Sequence, residues 1–121
     1  MSLSTHVLNT TTGLPAEGLT FELYCADPAD PAETADSTAG NAVVIESGAT
    51  DADGRYRFST PLDPGTYRIR FATGDALGDT ATLYPYVDIT FFVKDDRGGA
   101  NGHLHIPLLL SPFGYSTYQG S

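Results

Sequence analysis

Thr66-Tyr67-Arg68-Ile69-Arg70-Phe71 alternates apolar and polar side chains without a break. Tyr67, Ile69 and Phe71 share one face and Thr66, Arg68 and Arg70 the other, a period of two that fits a strand and not a helix. The pattern predicts one buried and one wet face. The same period returns at 86–93, with Val87, Ile89, Phe91 and Val93 on one side, and at 103–110, with Leu104, Ile106, Leu108 and Leu110. His103, His105, Pro107 and Leu109 fall on the opposite face of that last segment. Pro107 has no N–H to give a ladder, which predicts an edge or a strand end. Weaker patterns mark strands at 4–9, 19–25, 43–47, 55–59 and 114–119, and one short helix fits within 72–83. Asp51-Ala52-Asp53-Gly54 predicts a hairpin turn with Gly54 at positive φ. Residues 27–41 hold no large apolar side chain and predict a surface loop. Eight prolines and 13 glycines separate these segments. The expectation is an all-β, antiparallel β-sandwich of seven to eight strands with one short helix.

A length of 121 residues fits one domain, 1–121. Fifteen acidic against six basic residues leave a net charge of -9, which argues against nucleic acid and anionic membranes as partners. No apolar run approaches the roughly 20 residues of a membrane helix. The first residues, Met1-Ser2-Leu3-Ser4-Thr5-His6, lack the features of a signal peptide. Cys25 is the one cysteine, so no intramolecular disulfide forms. These features lead to the expectation of a cytoplasmic location.

Three histidines carry most of the chemistry that can be read. His103 and His105 are two residues apart on one strand face, where two imidazoles can converge on one ligand. They read equally as an acid/base pair, a metal site, or two solvated side chains after a glycine-rich loop. With His6, on the face of its strand opposite Val7, a three-histidine zinc site is chemically conceivable, yet no second shell is visible. Arg55 follows the Asp53-Gly54 turn and sits either at a pocket rim or on an ordinary surface. Asp51 and Asp53 resemble the start of a calcium loop, but its later acidic ligands are missing. Cys25 has no motif around it and reads as a small buried side chain.

Read together, three segments resemble the transthyretin-like 5-hydroxyisourate hydrolases. The opening Leu3-Ser4-Thr5-His6-Val7-Leu8-Asn9-Thr10, with Gly13-Leu14-Pro15-Ala16, is similar to their start. Thr50-Asp51-Ala52-Asp53-Gly54-Arg55 resembles their middle motif, and the run from His103-Leu104-His105-Ile106-Pro107 to Tyr118-Gln119-Gly120-Ser121 their end. The resemblance implies a transthyretin-like sandwich assembled as a homotetramer, a dimer of dimers, with active sites in the channel between dimers. It implies hydrolysis of 5-hydroxyisourate, the product of urate oxidase, to 2-oxo-4-hydroxy-4-carboxy-5-ureidoimidazoline, with no metal or other cofactor. By motif position it implies His6, Arg55, His105 and Ser121 as catalytic residues, and Tyr118, Gln119, Gly120 and His103 at the substrate. Asn9 stands where the family has Asp. Gln119 replaces the Arg of the usual Tyr-Arg-Gly-Ser ending, losing a charge and a bidentate fork.

Such a hydrolysis needs a base to activate water and a cation to hold developing oxyanion charge. His105 with His6 fits the first role and Arg55 the second, while Ser121 would position water or substrate. Three alternatives stand beside this one: a small-ligand carrier on the same fold, a metal hydrolase, and a structural adhesion module.

Overall fold

The computed structural model describes residues 1–26, 43–77, 82–94 and 102–120; the expected loop at 27–41 and Ser121 lie outside them. In chain order the strands are β1 (Ser2–Asn9), β2 (Leu14–Pro15), β3 (Thr20–Ala26), β4 (Val43–Ala49), β5 (Arg55–Arg57), β6 (Gly65–Phe71), β7 (Val87–Val93), β8 (His103–Ser111) and β9 (Gly114–Thr117), with a single-turn helix α1 (Thr73–Ala76) after β6. One sheet runs β4-β3-β6-β7, and the other β2-β1-β8-β9 with β5 also on β1. The alternation read at 66–71 is the pleat of β6, whose Tyr67, Ile69 and Phe71 face the core. Leu3 and Val7 of β1 and Leu108 of β8 meet them from the other sheet, all fully enclosed. Burial of each such side chain contributes about 1.5–3 kcal/mol.

The described residues form nine strands where seven to eight were expected, the addition being the two-residue β2, which is too short to show a period. One pairing is parallel: β1 and β8 run side by side, with Ser2 opposite His103 and Asn9 opposite Leu110. The turn at Asp51–Gly54 does not close a hairpin. It links β4 of one sheet to β5 of the other, and Gly54 has the expected positive φ, +74°.

Pro107 is neither at an edge nor at a strand end, since β8 lies between β1 and β9. Leu108 pairs with Thr117, and His105 pairs with Gly120 in the same register, so the proline interrupts that ladder once. The Thr117 hydroxyl caps its carbonyl at 2.7 Å.

The outward side of β6 is drier than the alternation suggests. Arg68 is buried, its guanidinium 4.5 Å from the Tyr24 ring centroid. Arg70 grips Asp88 through two hydrogen bonds of 2.7 and 2.8 Å and stacks on Tyr86. Long cationic side chains lie flat on neighbouring aromatic faces, which periodicity does not encode. Cys25, expected to be buried, is exposed, two residues beyond the register shift at Leu23/Tyr24.

Glu46 stitches the chain beyond β5 to β4. Its carboxylate accepts from the Tyr56 hydroxyl at 2.7 Å and from the backbone N–H groups of Ser59 and Thr60 at 3.0 and 2.9 Å. Partial burial pushes this carboxyl up, but the hydrogen bonds from Ser59, Tyr56 and Thr60 outweigh it and hold the pKa at about 2, below the ordinary 4.5. A depressed folded-state pKa contributes stability above the ordinary value, lost as pH falls from 4.5 towards about 2. Glu46→Ala is therefore expected to cost about 2 kcal/mol at pH 7 and to flatten the acid limb of stability against pH, as measured by urea denaturation at several pH values.

Candidate active site

β1 buries Leu3, Thr5 and Val7, so Ser2, Ser4 and His6 face outward from its sheet. On one flank β8 sets His103 opposite Ser2 and His105 opposite Ser4. On the other flank β5 sets Arg55 opposite His6 and Arg57 opposite Ser4. The parity of these registers puts two serines, three histidines and two arginines on one face. All of them but Ser2 line an open basin of about 470 Å³ whose rim also includes Asp51. Two of the six basic residues of this acidic chain stand here, giving a local field opposite in sign to the net charge.

Arg55 is held by backbone chemistry. Asp51 Oδ1 accepts the N–H of Asp53 at 2.9 Å and that of Arg55 at 3.0 Å, and Arg55 returns its carbonyl to the Asp51 N–H at 2.9 Å. The N–H groups of Arg55 and Asp53 hold the Asp51 carboxyl below its usual range, so it stays charged and keeps the turn closed. The turn docks on β1 where Val7 N–H donates to the Gly54 carbonyl at 2.7 Å. Tyr56 packs edge-on against Phe21 and Phe58, at 4.6 and 4.9 Å between ring centroids, which seats β5 between its arginines.

His105 is half-buried at the base of the basin, and its Nδ1 lies 2.7 Å from the Ser4 hydroxyl. Burial first, and then the charges of His6, His103 and Arg55, push its pKa down from the ordinary 6.5, so the ring is neutral and basic at neutral pH. The tail closes over it. Gly120 N–H donates to the His105 carbonyl at 2.8 Å, and a Cβ on Gly120 would stand 2.5 Å from His105 Cδ2 and 3.2 Å from Cγ. Gly120→Ala is expected to lower kcat about a hundredfold by rotating this ring, with Tm moving by no more than about 4 °C. Steady-state kinetics beside a thermal melt check it.

Of the residues singled out in the sequence, His6, Arg55, His103 and His105 come together in this basin, and Gly120 borders His105. Tyr118 and Gln119 line a separate groove of about 280 Å³ against Ile89 and Phe92 of β7. Ser121 lies outside the described residues. Among the described residues no three His, Cys, Asp or Glu side chains converge as a metal centre needs. Sequence reasoning missed Ser2, Ser4 and Arg57. Their signal was present in the i, i+2, i+4 spacing of Ser2, Ser4 and His6, but it acquires meaning only once β8 is known to lie alongside.

Residues 3–120 match the HIUase/Transthyretin family. The 5-hydroxyisourate hydrolase of Mesorhizobium japonicum is 40% identical over 125 residues, covering 98% of this chain and 91% of that protein. A probable 5-hydroxyisourate hydrolase of Schizosaccharomyces pombe is 38% identical over 128 residues, covering 99% and 91%. Among solved structures, Klebsiella pneumoniae 5-hydroxyisourate hydrolase superposes with a TM-score of 0.75 at 30% identity, covering 100% of both chains. Sea bream transthyretin in complex with thyroxine gives 0.76 at 24% identity over 98% of this chain and 93% of that one, a likeness of fold alone.

Proposed function

Because this chain belongs to the HIUase/Transthyretin family, we propose that its histidine- and arginine-lined basin hydrolyses 5-hydroxyisourate to 2-oxo-4-hydroxy-4-carboxy-5-ureidoimidazoline in urate degradation. The observation that carries this reading is the meeting of His6, Arg55 and His105 in one basin of a chain 38–40% identical to proteins bearing that activity in their names. His105 takes a proton from water as its oxygen attacks a ring carbonyl. Arg55 holds the oxygen that becomes negative, and the ring C–N bond opens as its nitrogen is reprotonated. His6, paired across the sheet with Arg55, is a second imidazole of the same basin and assists in deprotonating the water. Ser121, which follows Gly120 in the sequence, is assigned by motif position to orient substrate. Tyr118 and Gln119 of the same tail line the separate groove against β7, and their assignment to the substrate rests on motif position. No cofactor enters this scheme.

We assign the protein to a homotetramer. Among the described residues, strands β7 and β9 each end a sheet without a partner, and Phe92, Phe113 and Tyr118 beside them are 61%, 68% and 58% exposed. Unpaired edges and apolar rings of this kind are stabilised by a second copy. Two dimers meeting over the basin would supply the wall that the open face lacks. Among the described residues no helix is long and apolar enough to cross a membrane, and the exposed thiol of Cys25 suits the reducing cytoplasm. A carrier on the same fold has no use for a base and an arginine in one basin.

Generating 5-hydroxyisourate in place from urate and urate oxidase, and following its decay, tests the reading. Decay well above the spontaneous rate, from a species sedimenting at four times 12.8 kDa, is expected. Spontaneous decay alone, from folded protein, overturns it.

A further inference from the structure

The hydroxyl of Ser2 donates to the Gly102 carbonyl at 3.3 Å, an oxygen that only accepts. With its one proton directed there, Ser2 Oγ is left to accept from His103 Nδ1, 2.5 Å away, and this sense of the bond, which the heavy atoms leave to the tautomer, places the His103 proton on Nδ1. The neutral ring then has a lone pair on Nε2, which accepts from the Ser4 hydroxyl at 2.8 Å. Ser4 Oγ, its own proton given away, accepts from His105 Nδ1 at 2.7 Å. One carbonyl therefore orients four side chains in sequence, and leaves His105 with its lone pair on Nε2.

From this chain we infer that Ser4 and His103 are positioning residues of the hydrolysis, forming a relay that fixes the tautomer of His105 and carries positive charge away from it. The inference rests on His105 being the base. When water attacks, His105 Nε2 gains the water proton, Nδ1 releases its own to Ser4 Oγ, and the Ser4 hydroxyl proton passes to His103 Nε2. Three bonds to hydrogen break and three form. The charge finishes as an imidazolium on His103, and the reverse sequence returns a proton to the leaving nitrogen. The direction is downhill for two reasons. His103 is exposed where His105 is half-buried, so the cation regains solvent. The basin around His105 also already holds His6 from β1 and Arg55 and Arg57 from β5, against Asp51 alone from the turn. Moving the charge to the exposed ring at the edge of the same basin puts it where solvent screens those neighbours.

Nitrogen-15 NMR of the imidazoles reads the tautomers directly, in wild-type protein with both rings neutral. Nδ1–H is expected for His103 and His105, where free histidine favours Nε2–H. Ser4→Ala is expected to return His105 towards Nε2–H and to lower kcat between tenfold and a hundredfold with KM within about twofold. Ser4→Thr restores both. A hydroxyl that served packing alone would move neither the tautomer nor the split between kcat and KM. An Nε2–H tautomer in the wild type, or full kcat in Ser4→Ala, overturns the relay while leaving the hydrolase reading intact. Wild-type protein that does not accelerate decay of 5-hydroxyisourate overturns both. Should Ser4→Ala fail to fold, the wild-type tautomer still decides.

Discussion

His105→Asn is expected to lower kcat about a thousandfold, the contribution of a well-placed general base, with KM changed by no more than a few-fold and the melting temperature retained. Stability is spared because the ring lies on the outward face of β8, while Leu104 and Ile106 on either side carry the packing. The pH profile supplies the sign. Burial, with His6, His103 and Arg55 beside it, pushes His105 below the ordinary 6.5. The active form is the neutral one, so kcat/KM rises with pH to a midpoint below that value and is level through neutrality. His105→Asn removes this limb, whereas His6→Asn keeps it at a reduced rate, with its midpoint moved up towards the ordinary 6.5 as one neighbouring charge is lost. A loss under about tenfold for His105→Asn, or a limb that disappears with His6 instead, would transfer the role of base to His6.

The strands were legible where the period was long enough to count. Residues 66–71 and 103–110 each alternate over at least three cycles, and both become sheet strands with the expected inward faces. Leu14–Pro15 offers two residues and no period, so β2 is invisible to such counting. The parallel pairing of β1 with β8 is set by residues about 100 positions apart, and neither strand's local pattern names the other. For the same reason the histidines and Arg55 could be singled out by type and motif, but the serines between them could not. Ser4 looks like any solvent-facing strand residue until His103 and His105 stand on either side of its hydroxyl. Pro107 shows the opposite failure, a rule correct for a continuous ladder and overridden where the Thr117 hydroxyl takes the carbonyl.

Gly54→Ala is expected to destabilise the fold by about 3 kcal/mol, lowering Tm by about 12 °C, and to reduce kcat/KM more than about a hundredfold. Two costs act at this position. Its φ of +74° lies in the left-handed region, where an L side chain loses about 1–2 kcal/mol. A Cβ there would also stand 2.4 Å from the Val7 carbonyl oxygen and 3.0 Å from Pro15 Cβ, and the first of these neighbours is backbone of the central strand. That carbonyl is already fixed by the Ala16 N–H at 2.9 Å, and Val7 N–H holds the Gly54 carbonyl at 2.7 Å. The strand has nowhere to retreat, so the turn must lift away, and Arg55, the next residue, lifts with it from its place opposite His6. Gly18→Ala separates the two costs. Gly18 has nearly the same φ, +73°, but no atom within 4 Å of its would-be Cβ. It should lose only the conformational part, about 1 kcal/mol, with full activity. Urea denaturation and kinetics on the pair decide the matter. Equal losses of stability would show that the turn yields without strain, and an active Gly54→Ala would show that catalysis does not depend on where this turn holds Arg55.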